Sequence, residues 1–222
     1  MTSDDTMLYK TDFPLPDRQN NYETAYREAA DRLRDRDISD VARRCGAIVI
    51  AHAQGGALSL PFLGDDLLVT HPDVRVTYAA DAGEVPMWSR ILALHYLVRG
   101  TGALPRGERI AFKHLEGGLA YDPAFYRRSV ALLVNRFGPA LAGFMEAGER
   151  AGGTRSHESG HALSFRAFPR VEVVFVMREG DEEFPPSGSV IFDASIADYL
   201  STEDVAVLCN MLAVKIIKAA GA

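Results

Sequence analysis

The chain has 222 residues, of which 47% are hydrophobic and 24% charged, and its 30 acidic against 24 basic side chains leave a net charge of -6. A chain of this length buries on the order of 70% of its unfolded surface, so a true core is expected and wholesale disorder is excluded. The negative balance excludes a broad electrostatic footprint on nucleic acid or on an anionic membrane surface.

Residues 1–20 are polar and carry Pro14 and Pro16, which predicts an extended or disordered arm. A single domain is expected over residues 21–222. From Tyr22 to Arg44, Tyr22, Tyr26, Ala29, Ala30, Leu33, Ile38 and Val41 follow helical spacing, and one or two amphipathic helices are predicted. The period then changes. Ala47–Ala51, Ala57–Leu60, Leu67–Thr70 and Val74–Tyr78 are short apolar runs separated by Gly55-Gly56, Gly64-Asp65-Asp66 and His71-Pro72-Asp73, the spacing of an antiparallel meander.

Pro86 opens a helix whose stripe is Met87, Ile91, Leu94 and Val98, with Gly100 as its stop. Ile110 to His114 reads as a short strand broken by Gly117-Gly118. Two helices are expected next, one over Asp122–Phe137 with Asp122-Pro123 as N-cap and first turn, one over Pro139–Arg150. Strands follow at Leu163–Ala167, Val171–Met177 and Val190–Phe192, the second apolar on both faces and so central. A last helix is expected over Glu203–Lys218 with Thr202 as N-cap. Strands, helices, then strands and a helix, with no βαβ alternation, predict an α+β fold.

The two cysteines, Cys45 and Cys209, are far apart and form no C-x-x-C spacing, which rules out a cysteine-only zinc or iron–sulfur site and fits a reduced, cytoplasmic protein. There is no signal-like start and no apolar stretch of roughly 20 residues that would span a membrane.

Several strings carry chemistry. The strand ending at Met177 leads to Arg178 and then to three consecutive carboxylates, Asp181, Glu182 and Glu183, followed by Phe184-Pro185-Pro186. Adjacent like charges need water, a cationic partner, backbone N–H groups or a bound cation. Because the strand reads as central, at least one of Glu182 and Glu183 is expected to point inward, onto a histidine, an arginine or an N–H group of the 95–118 region. His157-Glu158-Ser159-Gly160-His161 matches H-E-x-x-H, a zinc-hydrolase string when it lies on a helix. Here it follows Gly152-Gly153 and runs into a strand, so it reads as a polar loop, with a zinc site on His157, Glu158 and His161 as the alternative. His95 and Tyr96 lie near the stripe of the Pro86 helix. The histidine is either a hydrogen-bonded residue of the core edge or a ligand or proton donor in a pocket. Lys113 and His114, ahead of Gly117-Gly118, form a plain turn or offer backbone N–H groups to an anion. Ser195 and Cys209 have no adjacent base.

The ordered strings Ile91–Leu97, Ile110–Gly118, Asn135–Gly138, Gly180–Pro185, Phe192-Asp193 and Tyr199–Asp204 resemble the bacterial and archaeal family known as domain of unknown function 3786, over most of residues 22–218. The resemblance implies an origin mainly among anaerobes. It also implies a link to corrinoid proteins of one-carbon metabolism, through family members that look fused to a four-cysteine iron–sulfur module. This chain has neither that module nor the D-x-H-x-x-G string of many corrinoid domains.

The expectation drawn from residues and resemblance together is a binding protein for a small molecule or cofactor, serving anaerobic metabolism. Its candidate contacts are His95, Tyr96, Lys113, His114, Arg178, Asp181, Glu182 and Glu183, and its candidate cofactors a corrinoid or other tetrapyrrole, or a divalent metal. The alternatives are a divalent-metal hydrolase using Asp181–Glu183 or the H-E-x-x-H string, and an interaction module with an acidic docking turn. A homo-oligomer is left open.

Overall fold

The computed structural model describes residues 19–52 and 55–221, so the expected N-terminal arm lies, up to residue 18, outside the described residues. The fold is α+β. Helix α1 (Gln19–Arg34) sets Ala29, Ala30 and Leu33 into the core at helical spacing. Helix α2 (Ile38–Cys45) starts at Asp37, whose carboxylate accepts the Ser39 and Asp40 N–H groups, a cap worth about 1 kcal/mol.

The predicted meander is present as β1 (Ile48–His52), β2 (Gly55–Phe62), β3 (Asp65–His71) and β4 (Val76–Tyr78), paired in that order and antiparallel throughout. Phe62 pairs with Asp65, which leaves a two-residue hairpin turn. Leu63 and Gly64 both have positive φ there, 53° and 93°, as a turn matching the strand twist requires. Leu58, Leu60, Leu67, Val69 and Val76 form the inner face of the sheet.

Helix α3 (Met87–Arg99) is buried on more than the predicted stripe, with Ser89, Leu92, Ala93 and Tyr96 also inside. Gly100 follows it for a reason other than a left-handed stop. Its φ is -48°, and a Cβ there would lie 2.4 Å from the Cys45 Sγ and 3.1 Å from the Tyr96 carbonyl, so the requirement is close packing of α3 on α2.

The segment expected as one strand is a short strand, β5 (Arg109–Ala111), followed by a 3-10 turn over Phe112–His114. The helix predicted over Asp122–Phe137 is two. Helix α4 (Gly118–Arg128) begins four residues earlier, after Gly117 turns the chain, and carries Pro123 inside it. It stops at Ser129, which leaves helical geometry at φ -129° and ψ -78° and whose hydroxyl donates to the Phe125 carbonyl at 2.7 Å, and α5 (Val130–Phe137) follows directly. Helix α6 (Leu141–Arg150) follows. The strands β6 (Thr154–Arg155), β7 (His161–Phe168), β8 (Val171–Arg178) and β9 (Ser187–Asp193) complete a second antiparallel sheet of order β5-β9-β8-β7-β6, with β8 central as its two apolar faces predict. Leu163, Phe165, Val173, Phe175, Val190 and Phe192 make its inner face.

After a 3-10 turn (Ala194–Asp198), helix α7 (Thr202–Ala219) closes the core. Its N-cap is Ser201, not Thr202. The Thr202 hydroxyl is committed elsewhere, to the Glu116 carbonyl at 2.7 Å, while Ser201 and Asp204 satisfy each other's backbone N–H groups as a capping box.

The two sheets meet through aromatic rings. Tyr96 of α3 stacks on Phe168 of β7 at 4.2 Å and on Tyr199 at 5.4 Å, and Phe168 in turn touches Phe62 of β2 at 4.8 Å. The Leu63 N–H donates to the Ala167 carbonyl across the same junction.

Candidate functional site

The acidic turn is solvated. Arg178 to Pro185 are all exposed, and the Asp181 carboxylate accepts the N–H groups of Glu183 and Phe184 at 2.9 and 2.8 Å. Neither Glu182 nor Glu183 reaches inward, which corrects the expectation of a contact with the 95–118 region. Centrality of β8 ends at Met177, which is fully buried, while the next residue, Arg178, is exposed, and the turn projects beyond the core. Water and the turn's own N–H groups offset the charge repulsion, and among the described residues Arg178 makes no ion pair with the triplet. Beside this turn, Gly138–Ala142 and Phe184–Pro186 line an open groove of ≈ 510 Å³.

The H-E-x-x-H string forms no helix. His157 and Glu158 lie in a bend and His161 opens β7, so the i,i+4 geometry that brings two imidazoles to one ion is not there. Glu158 instead lies 3.4 Å from Arg109, and His161 3.9 Å from Glu179. Among the described residues no group of three or more His, Cys, Asp and Glu is placed to hold a metal ion.

The remaining candidates do not converge. Tyr96 is fully buried, and its hydroxyl donates to the Cys45 carbonyl at 2.6 Å and accepts the Arg170 N–H at 3.1 Å. Lys113 and His114 are exposed on the 3-10 turn, where the His114 Nδ1 accepts the Ala111 N–H. His95 has a partner that spacing alone does not disclose. Its Nδ1 lies 2.7 Å from Asp204 of α7, whose other oxygen accepts the Ser201 N–H and hydroxyl. Burial works against ionisation of Asp204, but the His95 hydrogen bond and charge, with the Ser201 donors, hold its carboxyl below the usual value.

A separate cleft of ≈ 410 Å³ opens at the end of the second sheet, lined by Pro105, Gly107, Arg109, Arg166, Pro169, Arg170, Glu172, Asp193 and Ser195. Strand register builds it. Arg166 pairs with Glu172 across β7 and β8, and Arg109 with Asp193 across β5 and β9, so in the strand order β5-β9-β8-β7 two carboxylates on the middle strands are flanked by an arginine on each outer one. The β7–β8 hairpin then adds Pro169 and Arg170.

The carboxylates of the cleft are already committed. Glu172 accepts from the Ser164 hydroxyl at 2.7 Å and from Arg109 at 2.9 Å. Burial opposes its ionisation, and these two bonds, with the charges of Arg109 and of Arg166 nearby, outweigh that and lower its pKa. Asp193 accepts the N–H groups of Arg106, Gly107 and Ser195 at 2.9, 2.8 and 2.9 Å. Here too burial opposes the charge, yet the bonds from Ser195, Arg106 and Gly107 pull the carboxyl down to about 2.

The cations are not all committed. Arg109 faces Glu172 and Glu158, and Arg106 faces Asp198 at 2.6 Å. Arg166 and Arg170 make no ion pair among the described residues, Arg166 giving one bond to the Pro169 carbonyl. The Arg170 Nε is buried without a hydrogen-bond partner, a costly state for a charged donor. Arg170 runs inward past Gly46, and burial pushes the Cys45 thiol up to about 12 against the charges of Arg44 and Arg170.

The chemistry available is charge-assisted, forked hydrogen bonding to a carboxylate, phosphate or sulfate. None of the three arginines of the cleft is among the residues singled out from the sequence. The one local signal is Arg166-Ala-Phe-Pro169-Arg170, two cations flanking a proline that marks the surface turn of a hairpin.

The comparisons with known proteins leave that chemistry open. A family model described as Domain of unknown function (DUF3786) matches residues 37–215. No curated protein and no solved structure matches the chain.

Proposed function

The chain belongs to the family described as domain of unknown function (DUF3786), and from that premise we propose that it binds a small oxyanionic metabolite in the arginine-lined cleft, without transforming it. One observation carries this reading. Arg166 and Arg170 flank the cleft without an ion-pair partner among the described residues, while both carboxylates of its lining are spent on neighbouring donors. An incoming carboxylate or phosphate therefore meets surplus donors and displaces no internal pair. The lining offers no His, Cys, Lys or Tyr to serve as base or nucleophile beside Ser195, whose side chain is occupied with Asp193, so binding without turnover is the simplest use of the site.

The corrinoid or other tetrapyrrole implied by the family resemblance enters this proposal through its acidic groups. A propionate or phosphodiester suits Arg166 and Arg170, whereas a cleft of ≈ 410 Å³ lies at the small end of the range for ligand pockets, about 300–1,000 Å³. A whole macrocycle would extend beyond the cleft.

The test is a thermal-shift and calorimetric screen with phosphate, sulfate, succinate, citrate, a propionate-bearing tetrapyrrole and cobalamin. A ligand present at about 100 times its Kd stabilises by about 2.7 kcal/mol. Arg170→Gln and Arg166→Gln each remove a charge-assisted bond worth about 1.5–3 kcal/mol, so affinity falls at least tenfold. No stabilisation by any member of the screen, or binding untouched by both substitutions, would defeat the proposal.

A further inference from the structure

The four-stranded sheet ends at β1, and among the described residues nothing pairs with that edge. Ile48, Val49 and Ile50 are 64%, 42% and 37% exposed. Successive residues of a strand point to opposite faces, so three exposed aliphatics in a row mean that the strand stands clear of the core on both sides. Among the described strands β1 pairs with β2 alone, which leaves its second row of backbone N–H and C=O groups open. Ile48–His52 contains no Lys, Arg, Asp, Glu or Pro, the residues that ordinarily blunt an edge against pairing. The opposite edge is protected: β4 has three residues, and Thr77 bridges to Glu84.

We propose that β1 is the interface of a homodimer, in which β1 of one chain pairs antiparallel with β1 of a second copy and joins the two four-stranded sheets into one. Two arguments select a second copy over another partner. An antiparallel pair of identical strands is related by a two-fold axis, so every donor and acceptor of the edge meets its complement on the same edge rotated. With Ile50 on the axis, Ile48 lies opposite the partner's His52 and Val49 opposite the partner's Ala51. Charge gives the second argument. Copies that each carry a net charge of -6 repel, and they approach most closely where the surface has no formal charge, which is the condition β1 meets. A basic partner would gain nothing from this strand.

A five-residue edge buries less than the roughly 800 Å² per partner of a standard interface, so the dimer forms with rising concentration and is not obligate. Its geometry reaches the cleft. A Cβ on Gly46, two residues before β1, would lie 2.9 Å from Pro169 and 3.5 Å from Arg170, so the start of the edge adjoins the wall of the cleft. The interface is independent of whether the cleft binds an anion.

Sedimentation velocity across a concentration series tests the proposal on the full chain. The expected result is a reversible rise from one to two chains per particle. Ile50→Lys, which opposes two like charges on the axis, raises the dissociation constant at least tenfold with the melting temperature of the dilute monomer unchanged. Ile50→Thr keeps a strand-forming residue while removing apolar surface, and is expected to weaken the dimer in the same sense should the lysine variant not fold. A monomer at every concentration overturns the proposal, as does a dimer insensitive to both substitutions. Hydrogen exchange decides between occupants: in dilute monomer the alternate Ile48–His52 amides that bond to β2 are protected in any case, and strong protection of the others, which face the open edge, would assign it to another segment of the same chain and overturn the proposal too.

Discussion

Replacing Asp204 by Asn isolates the charge that joins α3 to α7. The carboxylate accepts at both oxygens, from the His95 Nδ1 at 2.7 Å on one and from the Ser201 N–H and hydroxyl at 3.0 and 2.7 Å on the other. An amide has one acceptor oxygen and one NH2, so either the Ser201 N–H loses its acceptor or the NH2 faces the His95 Nδ1, which must then change tautomer, and in both cases the charge assistance is lost while the shape is kept. A hydrogen bond to a charged group is worth about 1.5–3 kcal/mol, and an acid in the first turn of a helix about 0.3–1 kcal/mol more. His95 is 32% exposed, which screens the pair and favours the lower half of that sum, giving a loss of about 2–3 kcal/mol. For a chain of this size each kcal/mol lowers the melting temperature by about 2–4 °C, hence about 4–12 °C in all.

The pH dependence follows from the direction of the shift. Asp204 is held below its ordinary value of 3.8 in the folded state, so its stabilisation is complete above the unfolded value and is lost as pH falls through the folded one. Urea denaturation of the two proteins should therefore show the full gap near neutral pH and a narrowing gap once pH drops below 3.8. A variant within about 0.5 kcal/mol of the parent at neutral pH would refute the reasoning, as would a gap that persists undiminished in acid.

Three further outcomes are expected. Gly100→Ala places a methyl 2.4 Å from the Cys45 Sγ and should cost about 1–3 kcal/mol by overpacking, measured by urea denaturation. Glu183→Gln changes an exposed side chain of a solvated turn and should leave stability within about 0.5 kcal/mol of the parent in the same assay. The Asp193 side-chain carboxyl should titrate by NMR with a midpoint about 2, and a midpoint at the ordinary 3.8 would mean that the N–H groups of Arg106, Gly107 and Ser195 do not hold it.

The fold was legible where local pattern and tertiary environment agree. Val171–Met177 is apolar at every position but Glu172 and becomes the central strand, and the turn-separated runs of residues 47–78 become the meander. What was illegible depends on distance in sequence. His95 and Asp204 are 109 residues apart, and no spacing rule relates them. The cleft draws Arg109 from one strand and Arg166 and Arg170 from a hairpin nearly sixty residues later, and only the register of the sheet puts them together. The carboxylate triplet shows the opposite failure. Its position at a strand end was readable, but the direction in which the turn leaves the core is a property of β8 and β9 ending together, which composition does not encode.

The ring stack between the sheets has a consequence for how the protein is made. Phe62 and Tyr96 leave the ribosome long before Phe168 and Tyr199, at a pace of about 5–20 residues per second. Until Phe168 and Tyr199 emerge, the ring faces of Phe62 and Tyr96 that they cover in the finished fold have no such partner, and such transiently exposed apolar surface favours aggregation. A ribosome-bound fragment ending before Phe168 should thus expose apolar surface that the finished chain conceals, and the hazard passes only when Tyr199 closes the stack.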